Sequence, residues 1–224
     1  AVSKDGSRLY VVAQEGNALM VVDPEQQKVL NKISVGNFPH SVILSNNGQN
    51  AYVSNQWSDN VSVIDLASSK VIDTLKTANG PAGLALSADG KVLYVVNSYS
   101  SNISVIDLQT KEERKRLMAG NNPVGARLSP DGKYIYVTNR RAQIAPYGET
   151  IQTEITILSD STERVIENKM VESAHMMENI AFTPTGDLAF LTLIRPKNLV
   201  PSIQVERGFM MTHGIGIIEQ KKDG

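Results

Sequence analysis

The chain has 224 residues, 41% of them hydrophobic, and a formal net charge of −1 from 22 basic and 23 acidic residues. That balance gives no global electrostatic case for binding nucleic acid or an anionic membrane, and no apolar run approaches the roughly 20 residues of a membrane-spanning helix. Cysteine is absent, which excludes disulfides and thiolate metal sites.

A repeat of 42 residues runs along the chain. Glycines mark it at Gly6, Gly48, Gly90 and Gly132, and Gly186 follows after 54 residues. Three further sets keep the 42-residue interval: Asp23, Asp65 and Asp107; Asn37, Asn79 and Asn121; Pro39, Pro81 and Pro123. A fixed period of this length is the signature of a repeat architecture.

Each repeat reads as four short strands, which the third unit illustrates. In chain order, "PAGLALS" (81–87) predicts a first strand, "ADG" a tight turn and "KVLYVVN" (91–97) a second strand. "NISVIDL" (102–108) then predicts a third strand, and "EERKRL" (112–117) a polar outer strand. Asp107 ends the third strand, where its carboxylate is expected to accept N–H bonds from the turn.

Four strands in about 42 residues are typical of a propeller blade. We therefore predict an all-β protein, a β-propeller of four-stranded antiparallel blades, with units at about 1–38, 39–80, 81–122, 123–176 and 177–224. The first and last units are incomplete, because the chain opens on "AVS" and stops near a third strand. We expect it to be part of a seven- or eight-bladed ring whose open ends favour self-association; a five-bladed ring is the alternative.

The strings "YVSN" (52–55), "YVVN" (94–97) and "YVTN" (136–139), each followed by "SVID" or its equivalent, resemble the YVTN-family β-propeller repeat proteins. The string "SPDGKYIYVTN" (129–139) is close to that family's pattern. The resemblance implies a bacterial or archaeal binding protein that is periplasmic, secreted or on the cell surface. Some related propellers sit beside c-type cytochrome modules. The family has no fixed catalytic signature, so no functional residue is carried over.

Two insertions predict which end of the propeller carries function. Strand alternation places the second-to-third loops and the blade connections at one end, which we call the loop face. The step from Asn97 to Ile103 is 6 residues, but from Asn139 to Ile155 it is 16, and from Leu193 to Ile215 it is 22. Both enlarged segments, 140–154 and 194–214, leave the loop face, and insertions collected on one face often mark a binding surface.

The candidate ligand-binding residues of the loop face are aromatic, cationic or imidazole side chains: Trp57, Tyr99, Arg140, Arg141, His40, His175 and Arg195. Together they suit an anionic or π-rich ligand. The alternative is that Trp57 and Tyr99 merely cover blade edges.

No sequence motif assigns a metal site or a catalytic residue. Imidazole and thioether groups at His175, Met176, Met177 and His213 suit Cu(I) or axial haem ligation, but methionine more often fills gaps in a core. We therefore predict no metal and no cofactor. The sequence has no C-x-x-C-H, P-loop, HExxH or GxSxG string, so no catalytic residue is assigned.

These observations favour a non-catalytic extracytoplasmic propeller that binds a small molecule or a protein through its loop face, without a membrane span and without nucleic acid. The alternative is a propeller enzyme or redox domain. Such a domain would be lactonase-like, or it would hold haem, quinone or copper. Fusion to a cytochrome module is one form of this alternative. Propellers host both uses, so the fold alone does not decide between them.

Overall fold

The computed structural model describes residues 1–146, 149–196 and 211–219. Their regular structure is β-strand, arranged in five antiparallel sheets that are five propeller blades. The chain divides into two compact units, Ala1–Leu117 and Met118–Gly224, called unit 1 and unit 2 below. Within the described residues, no helix has the length and apolar character needed to cross a membrane.

Unit 1 carries blades 1 to 3, and within each blade neighbouring strands in the chain pair with each other. The strands are β1 (Leu9–Ala13), β2 (Ala18–Asp23) and β3 (Lys28–Ser34) in blade 1; β4 (Pro39–Leu44), β5 (Asn50–Asn55), β6 (Asn60–Asp65) and β7 (Lys70–Lys76) in blade 2; β8 (Pro81–Leu86), β9 (Val92–Asn97), β10 (Asn102–Asp107) and β11 (Glu112–Met118) in blade 3. Val2 forms an isolated antiparallel bridge with Leu9, on the free edge of β1.

Unit 2 carries blades 4 and 5, again with consecutive strands paired. The strands are β12 (Pro123–Leu128), β13 (Tyr134–Asn139), β14 (Gln152–Ser159) and β15 (Arg164–Glu172) in blade 4; β16 (Ile180–Phe182), β17 (Leu188–Pro196) and β18 (Met211–Glu219) in blade 5. Four-stranded blades are therefore confirmed for blades 2, 3 and 4, and the described parts of blades 1 and 5 have three strands.

Local turn chemistry explains why the strands reverse where they do. In the first-to-second turn of blade 3, Ser87 Oγ donates to Asp89 Oδ1 at 2.7 Å, and Asp89 accepts the Lys91 N–H at 3.0 Å. The Val92 N–H donates back to Ser87 Oγ at 3.0 Å. Gly90 completes the turn at φ +73°, a conformation that costs glycine little and other residues more.

The third-to-fourth turn of blade 3 confirms the expectation for Asp107. Its Oδ1 accepts the backbone N–H groups of Gln109 at 2.8 Å and Thr110 at 3.0 Å. The bonds from Thr110 and then Gln109 lower the pKa of the Asp107 carboxyl, because they stabilise its charged form.

Apolar side chains of neighbouring blades pack face to face within each unit. Between blades 1 and 2 the buried cluster is Tyr10, Leu19, Ile33, Ala51, Val53 and Ile64. Between blades 2 and 3 it includes Val61, Val63, Leu75, Leu84, Leu93 and Val95. In unit 2 it includes Ile155, Ile157, Met177, Leu191 and Leu193. Each fully buried aliphatic side chain contributes about 1.5–3 kcal/mol, so the repeated strings are scaffold first.

The blade 5 sheet has one buried and one exposed face. Leu191 and Leu193 are at most 5% exposed, whereas Ile215 and Ile217 on β18 are 68% and 61% exposed. Phe190, which lies opposite Ile217, is 38% exposed. This sheet therefore presents apolar side chains that the described residues leave uncovered.

The outer strands depart in part from the polar character expected of them. β11 is charged, as expected, but Leu30 on β3 and Ile72 on β7 are 47% and 58% exposed. Each occupies a register shift against the neighbouring strand. A bulge leaves its extra residue outside the regular pairing and twists the strand, so an aliphatic side chain there need not face the core.

Candidate functional site

Hydrogen bonds join the second-to-third loops of unit 1 to the connection that enters the next blade. Asn17, in the blade 1 loop, accepts the Phe38 N–H through Oδ1 at 2.9 Å and the Val35 N–H through its carbonyl at 3.0 Å. Asp59, in the blade 2 loop, accepts the Gly80 N–H through Oδ1 at 2.8 Å. The hydrogen bond from a blade connection to the second-to-third loop of the preceding blade is therefore found after both blade 1 and blade 2.

Each connection is also bonded to the loop of the blade it enters. The Asn37 N–H donates to Ser58 Oγ at 2.8 Å, and the Asn37 carbonyl accepts the Trp57 N–H at 3.2 Å. In blade 3, Asn79 and Ser100 form the corresponding pair at 2.9 and 3.3 Å. The loops 14–17, 56–59 and 98–101 and the connections 35–38 and 77–80 thus form one bonded belt at a single end of unit 1, which is its loop face.

Trp57 lies on this face, stacked on Phe38. The ring centroids are 4.4 Å apart and the ring planes differ by 10°, while Trp57 remains 64% exposed. Phe38 has a φ of +51°, which is unusual for a bulky residue and carries strain of order 1 kcal/mol or more. The Phe38 N–H bond to Asn17 and its carbonyl bond from Gln56 at 3.0 Å hold that conformation.

Tyr99 lies at the equivalent position of blade 3 and is 61% exposed. Its ring rests against Gly80, where an added Cβ would come within 2.6 Å of two ring carbons. Gly80 also has a φ of +70°, so glycine is required there both for the backbone conformation and for the close approach of the ring.

The sequence places the blade connections at the loop face, but Phe38 was not among the candidate residues. The 42-residue repeat could have drawn attention to it. The residues that correspond to Phe38 in the next two repeats are Gly80 and Asn122, and all three have a positive φ. Glycine and asparagine are the residues that adopt this conformation most readily. A phenylalanine in that series is therefore a residue whose side chain is kept at a conformational cost.

Buried asparagines support the same end of the blades. Asn97 is fully buried, and its Nδ2 donates to Asn102 Oδ1 and to Ser104 Oγ, each at 2.9 Å. Asn55 Nδ2 donates likewise to Asn60 Oδ1 and Ser62 Oγ, whereas Asn139 Nδ2 donates to the Glu154 carbonyl and Thr156 Oγ1. The amide nitrogen therefore fastens the end of the second strand to the third strand, which gives the repeated Asn a structural role.

In unit 2, the first insertion is anchored to the connection between blades 4 and 5. Arg140 donates through Nε and Nη2 to the two carboxylate oxygens of Glu178, both at 2.8 Å. The Arg140 carbonyl accepts the Met176 N–H at 2.7 Å, and the Ala142 N–H donates to His175 Nδ1 at 3.3 Å. This bidentate pair makes Arg140 a clamp on the loop base as well as a candidate ligand contact.

The second insertion begins beside the same anchor. The His175 N–H and carbonyl bond the carbonyl and N–H of Ile194 at 2.9 and 2.8 Å. Ile194 in turn lies opposite His213 in the pairing of β17 with β18. Within unit 2, the described parts of 140–154 and 194–214 therefore leave from one end, and residues 147–148 and 197–210 lie outside the described residues.

The remaining predicted residues are more scattered. Arg141 and Arg195 are exposed, and His40 is partly buried in β4. Ile144, which the sequence reasoning did not single out, is fully exposed in the first insertion. The assignment of the predicted residues to one ligand site stays a prediction.

Two of the four metal candidates, Met177 and His175, already have contacts within unit 2. Met177 is fully buried in the apolar cluster of unit 2. His175 accepts the Ala142 N–H at Nδ1, so the lone pair of that nitrogen is engaged. The described residues contain no group of three His, Cys, Asp or Glu side chains placed to hold a metal ion.

A cleft lies at the opposite end of unit 1. Its volume is about 690 Å³, and residues of two first-to-second turns line it, among them Lys4, Asp5, Asn46 and Asn47. None of these four side chains was a candidate from the sequence.

Comparison with known proteins supports a propeller of repeated blades. A family model described as "Domain of unknown function (DUF5074)" matches residues 5–186. The chain belongs to this DUF5074 family. The propeller repeat expected from the sequence is confirmed, whereas membership of the YVTN family stays a prediction.

Similar proteins include a curated protein and a solved structure from Kuenenia stuttgartiensis. Hydrazine synthase subunit beta of Kuenenia stuttgartiensis is 30% identical over 95 residues, which are 38% of this chain and 25% of that protein. The solved structure of Kuenenia stuttgartiensis hydrazine synthase matches with a TM-score of 0.88 at 29% identity, over 98% of this chain and 62% of that chain.

A functionally unknown protein from Desulfotomaculum acetoxidans matches with a TM-score of 0.69 at 15% identity. That match covers 89% of this chain and 65% of the other, and it bears on the fold alone. The chain thus spans a quarter of the curated relative's length and less than two thirds of either solved chain.

Proposed function

We propose that this chain is part of a non-catalytic extracytoplasmic β-propeller that binds a protein partner through its loop face. The observation that carries the proposal is the pair of exposed aromatic side chains on the bonded belt of unit 1. Trp57 and Tyr99 are 64% and 61% exposed, yet each ring is held, one by Phe38 and the other by Gly80. Aromatic side chains that are exposed but already ordered are typical anchors of protein interfaces.

A protein is a better fit than a small molecule for two reasons. The aromatic rings lie on an exposed loop face, whereas small molecules favour concave sites that bury most of the ligand. The likeness to hydrazine synthase subunit beta adds support, since a subunit by its name works in an assembly.

We also propose that the complete ring has seven or eight blades and belongs to the YVTN type. Support comes from the uncovered apolar face of blade 5, with Ile215 and Ile217 exposed, and from the greater length of the solved relatives. In isolation, the 224-residue chain is then expected to self-associate, and Ile215→Glu with Ile217→Glu should reduce this in sedimentation velocity. A monomeric parent chain would contradict the idea.

The extracytoplasmic location rests on the YVTN resemblance, and fractionation of cells expressing the full-length protein tests it.

An enzyme subunit is the second candidate, favoured by the name of the same relative. In that case the chemistry would reside in partner chains or in parts of the protein beyond the described residues. A visible absorption spectrum of the purified full-length protein separates a haem-bearing or copper-bearing assembly from a propeller without such a group.

The binding proposal is tested by capture that depends on the loop face. The tagged full-length protein is cross-linked in its source organism and purified, and copurifying proteins are identified by mass spectrometry. The experiment is repeated with Trp57→Ala/Tyr99→Ala and with Ile72→Ala, a control at a side chain that is 58% exposed on β7. We expect a partner that the parent and the control retain and the double variant loses. Retention of every captured protein by the double variant refutes the proposal.

Direct titration completes that test. Trp57 is the only tryptophan of this chain, so its fluorescence reports on the loop face. The partner identified by capture should shift the Trp57 emission as it binds, and a partner that binds without changing this emission docks elsewhere.

A further inference from the structure

We propose that the loop face of unit 1 binds a cationic segment of a protein partner, with arginine or lysine side chains placed over Trp57 and Tyr99 and beside Glu15 and Asp59. The inference rests on the proposed function and adds the chemistry of the partner. It differs from the anionic or π-rich ligand that the sequence suggested for the aromatic and cationic candidates together.

Three equivalent positions present the surface. Glu15, Trp57 and Tyr99 are spaced by 42 residues and occupy the same place in the second-to-third loops of blades 1, 2 and 3. All three are exposed. Because the belt of hydrogen bonds from Asn17 to Ser100 joins these loops and the connections between them, the three side chains share one end of unit 1.

The aromatic rings are ordered before any partner arrives. One face of the Trp57 ring lies against the Phe38 ring, with the ring centroids 4.4 Å apart. The Tyr99 ring lies on the backbone of Gly80. Each ring therefore keeps an accessible surface at a fixed position. The face of an aromatic ring carries partial negative charge and attracts cations, with tryptophan the most effective. A ring already held in place loses little conformational entropy on binding.

The charged side chains within the belt itself are all negative. The loops 14–17, 56–59 and 98–101 and the connections 35–38 and 77–80 contain two carboxylates, Glu15 and Asp59, and no lysine or arginine. Two lysines border these segments: Lys32 on β3, whose Nζ lies 3.8 Å from where a Cβ on Gly16 would be, and Lys76, the last residue of β7, which pairs with Asn60 next to Asp59 in the chain. Aromatic faces and carboxylates both favour a cation and both disfavour an anion.

Arginine fits the arrangement better than a small cation does. A guanidinium group stacks flat on an aromatic ring and still donates hydrogen bonds at its edge to a carboxylate. Asp59 follows Trp57 by two residues in the same tight loop. Its Oδ1 accepts the Gly80 N–H at 2.8 Å, so the carboxylate has a defined place next to Gly80, the residue against which the Tyr99 ring rests.

The test uses hexa-arginine amide as the probe and Trp57 fluorescence as the signal, with Trp57→Phe as the optical blank. We expect saturable quenching by hexa-arginine that weakens as salt is raised, and no quenching by hexaglutamate. Glu15→Gln/Asp59→Asn should weaken hexa-arginine binding about tenfold, as expected for the loss of two exposed charge pairs. Asn at position 59 keeps an acceptor for the Gly80 N–H, so the belt is retained.

Glu112→Gln is the matched control, because Glu112 is an exposed carboxylate on the outer strand β11. This variant should bind hexa-arginine with the same affinity as the parent. The proposal is overturned if hexa-arginine gives no quenching up to about 1 mM, if hexaglutamate binds equally well, or if the double variant binds like the parent. A partner captured through Trp57 and Tyr99 despite such a result would leave the proposed function standing and refute only its cationic chemistry.

Discussion

Asn97 offers the sharpest test of how a blade is held together. The side chain is fully buried, and Nδ2 makes two hydrogen bonds, to Asn102 Oδ1 and Ser104 Oγ. Asn97→Ala removes both, and each is worth about 1 kcal/mol net. A small cavity adds to the loss, so we expect the free energy of unfolding to fall by about 2–3 kcal/mol.

Asn97→Asp should be worse than Asn97→Ala, although it keeps the size of the side chain. It replaces the donor by an oxygen facing Asn102 Oδ1 and puts a carboxylate in a buried position. Urea unfolding, followed by Trp57 fluorescence and circular dichroism, measures both losses. Gln109→Ala, at an exposed turn position, should stay within about 0.5 kcal/mol of the parent. A loss below about 0.5 kcal/mol for Asn97→Ala, or a milder effect of Asp than of Ala, would refute the reasoning.

Three further predictions follow from single contacts. Gly80→Ala should lower the free energy of unfolding by about 1–2 kcal/mol through its positive φ and the neighbouring ring, whereas Gly16→Ala, which has neither constraint, should change it little in the same urea assay. Arg140→Ala should cost about 0.5–1 kcal/mol, because its ion pair is partly exposed; an equal effect of Arg141→Ala would contradict the clamp. The lowered pKa of Asp107 and of similar turn carboxylates lies below the unfolded value of about 3.9. Their stabilisation is therefore complete above that pH and lost as pH falls through the folded pKa, so melting temperatures should fall below about pH 4, and a flat profile down to pH 2.5 would contradict this.

Turn chemistry is the part of this fold that the sequence predicts best, because turn residues act locally. Asp107 and Gly90 need only their immediate neighbours to close their turns, and those neighbours recur every 42 residues. The number of strands likewise predicts the loop face. A blade of four antiparallel strands returns the chain to the end at which it entered, so the second-to-third loop and the blade connection lie at the same end.

By itself, the sequence determined the blades, their order and the end from which the two insertions leave, because each depends on contacts a few residues apart. Only the tertiary structure decided what the side chains at that end do. Phe38 adopts its strained backbone because Asn17, 21 residues away, holds it there and brings its ring onto Trp57. Arg140 pairs with Glu178 across 38 residues. Such contacts form only when a loop meets the next connection, and no local pattern of residue types specifies that meeting.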